Sequence, residues 1–308
     1  MGRGEGGREP PQRSLARAVP RVGLEAETSD RLMRRFGPAA LAFPGLALMV
    51  LFFALPVGVI LGQSFFDPGF TLKFYARMAA GPEYALVFWI SIKIALLSAF
   101  FSMIAGYPVA YLLVKAAPTL RAIMMAFILL PFWTNILVRC YAWMLVLQTK
   151  GLLNSLLVGW LHLLDQPLAL MFNLPGVIIG MVHYLLPINI LILYSAMKGI
   201  DLKLVQAAQG LGANPLRAFL TVFVPLSLPA VRAAALLTFV LALGFFVTPA
   251  LLGGRGEITV AMLVSTYFSE VLDWGFGSAL ATVLLAITTL GLCLHFALER
   301  RRAGLVLQ

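Results

Sequence analysis

Six long apolar runs constrain this chain more than any other feature. They are Ala39–Gln63, Ala85–Val114, Ala122–Leu147, Leu174–Met197, Ala233–Leu252 and Gly277–Ala297. A hydrocarbon core about 30 Å thick is crossed by roughly 20 helical residues. Inside it, a helix satisfies every backbone N–H and C=O within one segment. The runs therefore predict an all-α membrane protein with six transmembrane helices. The charge content agrees, since only 12% of the 308 residues are charged, against about 25% in an ordinary soluble domain.

An even number of crossings puts both termini on one side, and the excess of Lys and Arg marks that side as cytoplasmic. Of 23 basic residues, 17 fall on the terminal side, including Arg34, Arg35, Arg121, Lys198, Lys203, Arg217 and Arg300–Arg302. Four fall opposite (Lys73, Arg77, Lys150 and Arg255), and Lys93 and Arg139 lie within runs. The N- and C-termini and the loop over 198–230 are thus expected in the cytoplasm. The net charge of +10 follows membrane topology, so it gives no reason to infer a nucleic-acid partner. Residues 1–38 are rich in Arg, Gly, Pro and Glu and hold no apolar run, which reads as a disordered basic cytoplasmic tail. Without an apolar core segment this is no cleavable signal peptide. Residues 39–299 form the six-helix domain and 300–308 a short cytoplasmic C-terminal tail. Cys140 and Cys293 both fall within runs, without metal-ligand spacing. Arg139, 18 residues beyond Arg121, would lie about 27 Å along a straight helix and snorkel at the outer boundary. Pro108, Pro131 and Pro187 inside runs suit the broken helices of transporters, although proline is common in membrane helices generally.

The polar interruption Lys198–Pro229 carries helix start and stop signals. Asp201 suits an N-cap, and Gly210 or Gly212 a helix end. Asn214-Pro215 opens a second helix, which Pro225 and Pro229 are expected to stop near the membrane. Ala207 and Ala208 present little side chain, so a partner can approach the backbone there, gripped by Leu202, Leu204, Val205 and Leu211. The competing reading is an amphipathic helix lying on lipid headgroups.

The run Gln206-Ala207-Ala208, then Gly212, Val222 and Val224-Pro225, resembles the EAA motif of permease subunits in bacterial binding-protein-dependent ABC importers. That pattern is Glu-Ala-Ala, Gly at the fourth position after the second Ala, and later Ile-x-Leu-Pro. Here Gln206 stands in place of Glu, and Val222 and Val224 in place of Ile and Leu. Ile92–Lys115 resembles the second core helix of the family. Pro131–Leu147 and Asp273-Trp274-Gly275-Phe276-Gly277 resemble its spermidine/putrescine group. The resemblance implies a type I ABC importer permease fold in the bacterial inner membrane, moving polyamines by alternating access. The implied partners are a second permease subunit, two ATPase subunits and a periplasmic substrate-binding protein. Gln206, Ala207, Ala208, Gly212 and Pro225 would couple to the ATPase on a coupling helix. ATP and Mg would belong to that ATPase, with no cofactor in this chain, which lacks GxxxxGK[ST]. A transporter subunit rather than an enzyme is implied.

Polyamines are flexible polycations, which aromatic faces and carboxylates hold. Tyr267, Glu270, Asp273 and Trp274 form one candidate cluster, read first as a rim for the binding protein. Trp133, Thr134, Asn135, Tyr141 and Trp143 are candidates for the pathway, with interfacial packing the blander reading. Two alternatives stay open. The same machinery could serve an opine-like or other small amino compound, or the chain could be a secondary transporter needing no ATPase. Against the latter, the acidic residues lie outside the runs or at their ends.

Overall fold

The computed structural model describes residues 43–306, with side chains through Ala297. The expected tail over 1–38, the start of the first run and residues 307–308 lie outside the described residues. The chain divides into two compact units at Ile60 and Leu61. Among the described residues, six helical elements are long and apolar enough to cross a membrane. They are Phe43–Gln63, Pro82–Lys115, Ile136–Trp160, Leu174–Met197, Pro215–Leu243 and Trp274–Ala297. The number matches the sequence expectation, and several boundaries do not.

In the first unit, the helix widens into a π-helical turn at Val50–Ala54, just before Pro56. A proline ring collides with the carbonyl four residues back and brings no N–H to it. A wider turn upstream accommodates both.

The centre of the second unit is a helix triplet. Pro82–Lys115 and Leu174–Met197 pack along their lengths, and Pro215–Leu243 packs against both. The buried face of the first includes Ser91, Ala95, Ser98, Ser102, Gly106 and Ala110. Small residues on one stripe let membrane helices approach closely, where lipid supplies no hydrophobic drive for association. At Gly106 a Cβ would stand 2.8 Å from the Asn189 Oδ1, so the approach there leaves no room for a side chain. Two polar ties cross the triplet: Asn189 Nδ2 donates to Thr238 Oγ1 at 3.1 Å, and the Tyr107 and Ser227 hydroxyls meet at 2.7 Å.

A short helix, Lys73–Ala80, is pinned by Phe74, which is buried with Tyr84, Val260, Phe276 and Leu280. The ring of Phe74 sits where a side chain on Gly275 would be, so only glycine fits there.

Three expectations need correction. The single helix expected over Ala122–Leu147 is two pieces, Pro118–Trp133 and Ile136–Leu147, parted at Thr134 and Asn135. Pro131 withdraws a backbone donor there, and Asn135 Oδ1 accepts from Leu137 N at 2.8 Å to start the second piece. The stop expected at Pro225 and Pro229 is absent. The helix that opens at Pro215 continues to Leu243, through a π-helical turn at Phe219–Phe223 just before Pro225. As with Pro56, the wide turn absorbs the proline. The fifth run accordingly ends at Gly244, with a separate short helix at Val247–Leu252. The last helix starts at Trp274 and its backbone stays helical to Val306, through most of the expected C-terminal tail.

Candidate functional site

The polar loop folds into a helix, a tight turn and a second helix. Asp201 Oδ1 accepts from Lys203 N at 2.9 Å and opens the helix Lys203–Gly210. Gly212 has φ of +94°, a conformation that disfavours side chains, and nothing crowds it. Glycine is needed there for backbone freedom rather than for space. Asn214 Oδ1 then accepts from Arg217 N at 2.7 Å, with Pro215 at the first helical position.

The two helices are fastened to the helix triplet by one face. Val205, Ala218 and Phe223 are buried with Leu113, Leu193 and Met197, and Leu202 and Ala208 pack against this cluster. The Tyr111 ring lies 4.7 Å from those of both Phe219 and Phe223. Arg121 closes the nearby end of Pro82–Lys115, with its Nε and Nη2 donating to the carbonyls of Leu113 and Ala116. The opposite face is open, with Lys203, Leu204, Gln206, Ala207, Gly210 and Leu211 exposed. The predicted coupling residues are therefore divided. Gln206, Ala207 and Gly212 lie outward, Ala208 lies partly inward, and Pro225 sits on the exposed side of the long helix. The apolar grip divides likewise: Leu204 and Leu211 point out, Val205 and Leu202 in. The i, i+3 spacing of Leu202, Val205 and Ala208 carried this division as a helical face.

The second candidate cluster is already engaged within the chain. Asp273 Oδ2 accepts from Arg77 Nη1 at 2.9 Å, and its Oδ1 accepts from Phe276 N at 3.0 Å as a helix cap. The Arg77 guanidinium stands 4.4 Å over the Phe276 ring and 5.8 Å over that of Tyr267. The Tyr267 and Tyr84 hydroxyls are 3.2 Å apart, and burial followed by this hydrogen bond pushes the Tyr267 phenol up to about 12. Trp274 packs edge-on to Phe268 at 5.3 Å, while Glu270 is exposed. Arg77 was absent from the sequence-based cluster. It lies nearly 200 residues from Asp273 in the chain, at a separation of 196, beyond any local signal.

The third group surrounds the break in the third run. Trp133 is 90% exposed, and Thr134, Asn135 and Tyr141 are exposed as well. Trp143 turns inward, edge-on to His183 at 5.4 Å. Arg139 follows this break and so is not carried by one straight helix from Arg121. Its Nη2 donates to the carbonyls of Pro131 and Thr134 and to Thr134 Oγ1. Among the described residues, no group of three or more His, Cys, Asp or Glu could hold a metal ion.

Residues 99–304 match the family described as binding-protein-dependent transport system inner membrane component. The spermidine/putrescine transport system permease protein PotB of Escherichia coli K12 is 35% identical over 260 residues, 82% of this chain and 94% of that protein. PotB of Haemophilus influenzae is 36% identical over 229 residues, 73% of this chain and 79% of that protein. In fold, the chain is similar to a subunit in the crystal structure of a bacterial alginate ABC transporter in complex with alginate pentasaccharide-bound periplasmic protein. The TM-score is 0.74 at 14% identity, over 88% of this chain and 96% of that one. Six spanning helices, a surface helix–turn–helix and matches over most of the length converge on one conclusion: the chain belongs to the family of binding-protein-dependent transport system inner membrane components.

Proposed function

We propose that this chain is the permease subunit of an ATP-driven importer of polyamines, and that the helix Lys203–Gly210 is where its ATPase docks. The observation that carries the docking role is the two-sided helix itself. One face is buried in the helix triplet, and the other exposes Gln206, Ala207, Leu204 and Leu211. The second helix of the pair continues unbroken into a spanning helix. A push on the exposed face is thus delivered to the membrane interior without a flexible joint. The positive-inside count supports placing this face and both termini in the cytoplasm. The likeness to PotB over four-fifths of the chain supports spermidine and putrescine as cargo. A second permease subunit, two ATPases and a periplasmic binding protein complete the assembly in this reading, with ATP and Mg held by the ATPases.

The test is uptake of labelled spermidine into proteoliposomes holding the complete assembly. Import is expected only with ATP, the ATPase and the binding protein all present. Uptake by this chain alone on an ion gradient would overturn the reading. Uptake of an opine in place of spermidine would keep the machinery and replace the cargo.

A further inference from the structure

The exposed face of the polar loop is one-sided in charge. Residues 198–217 carry three cations, Lys198, Lys203 and Arg217, against one carboxylate, Asp201, and all four are exposed. The carboxylate is partly engaged, since its Oδ1 caps the helix at Lys203 N. The three cations take part in neither the Lys73–Asp67 pair nor the Arg77–Asp273 pair, and among the described residues their side chains have no carboxylate partner. Where the EAA pattern has its acid, this chain has the exposed, neutral amide of Gln206. Position sharpens the imbalance. Lys203 and Arg217 stand in the first turns of their helices, and neither turn holds an acid. The N-terminal end of a helix carries partial positive charge and favours an anion. Each cation adds to that charge, a local cost that an anion on a partner would offset.

Lipid headgroups and an acidic protein surface both supply such anions. The apolar residues decide between them. A helix lying on headgroups turns its apolar face to the acyl chains. Here that face, Leu202, Val205 and Ala208, is taken up by the helix triplet. Outward stand Ala207 and Gly210, which offer almost nothing to lipid but let another backbone come close. Beyond them Leu211 is 90% exposed, enough to fill a pocket. An apolar centre with a charged rim is the layout of a protein interface.

We propose that the ATPase surface receiving this helix is acidic, with carboxylates facing Lys198, Lys203 and Arg217 around an apolar pocket for Leu211. Gln206 belongs to the same match, because a Glu there would face those carboxylates. This rests on the docking role proposed above and adds the chemistry of the partner surface. The experiment uses the complete transporter in nanodiscs of phosphatidylcholine, which has no net charge, and follows exchange of labelled ATPase. Normal exchange and affinity in Ala207→Arg would overturn the docking role and this proposal with it. Where Ala207→Arg releases the ATPase, the charge variants test the groove alone. Lys203→Gln and Arg217→Gln are each expected to weaken binding about two- to fivefold at low salt. Lys203→Glu should weaken it by about the square of that factor, since reversal changes twice the charge. An acid suits the first turn of a helix, so Lys203→Glu should not lower the permease's own stability, and its weaker binding reports the interface. Gln206→Glu should weaken binding about as much as Lys203→Gln, and all these differences should shrink at about 1 M salt, where charges are screened beyond about 3 Å. Unchanged or tighter binding by Lys203→Glu and Gln206→Glu overturns the proposal. So does an effect confined to discs containing phosphatidylglycerol, which would assign the cations to lipid headgroups.

Discussion

Gly106→Ala tests the packing on which the helix triplet depends. The new methyl carbon would stand 2.8 Å from Asn189 Oδ1 and 3.5 Å from Ile190 Cγ1. The second distance is ordinary contact; the first forces Asn189 to move. Asn189 is fully buried and its Nδ2 bonds to Thr238, so the amide has little room in which to turn. Overpacking a tight site costs about 1–3 kcal/mol, and an interhelical hydrogen bond within a membrane contributes about 0.6 kcal/mol. Gly106→Ala is therefore expected to destabilise by about 1.5–3.5 kcal/mol. Asn189→Ala removes the obstructing amide, and in the double variant the methyl enters the space it vacates. The double variant should be at least about 1 kcal/mol more stable than the two single costs summed. Equilibrium unfolding in mixed micelles, followed by circular dichroism, measures all three variants. Single costs that add to within about 0.5 kcal/mol would refute the reasoning, because they would show that Gly106 and Asn189 do not share a contact.

Two further outcomes follow from exposure and charge. Ala207→Arg should abolish substrate-stimulated ATP hydrolysis and retention of the ATPase on purification while leaving the permease's own unfolding unchanged. Ala208→Arg, which packs inward, should also lower that stability, and normal ATPase retention by Ala207→Arg would place the docking face elsewhere. Asp273→Asn keeps the cap on Phe276 N but loses the partly exposed pair with Arg77. It should cost no more than about 1 kcal/mol and lose its effect in high salt. Asp273→Ala should cost about 1 kcal/mol more through the lost cap, and equal costs for the two variants would show that the cap contributes nothing.

Most of the fold was legible because lipid imposes a simple rule on sequence. A helix that must satisfy its backbone internally and bury apolar side chains writes itself as a run of about 20 apolar residues. Leu174–Met197 is read from sequence to the residue, and Pro82–Lys115 to within a few. Local caps are equally visible. Asp201, Asn214 and Gly212 act where their chemistry predicted, since each bond or angle involves neighbours in the chain. Proline was the weak signal. Pro225 and Pro229 read as a stop, yet the helix passes through them on a π-helical turn. Pro131 read either as a mark of a broken helix or as an ordinary membrane proline, and it marks a full break. The residue type was the same, and the surroundings differed.

What residue order alone decides here is the number of crossings, the positions of the polar loop's caps and the family to which the pattern belongs. Each of these rests on interactions within a turn or within one apolar run. Tertiary structure decides which way each side chain of that loop faces, because Val205 and Ala208 turn inward only where Leu113, Phe223 and Met197 wait to receive them. It also decides that Asp273 is paired with Arg77 and that Arg139 sits over the Tyr184 ring. Such pairings join residues far apart in the chain, where a charge's partner and a helix's break depend on what packs alongside and not on what precedes.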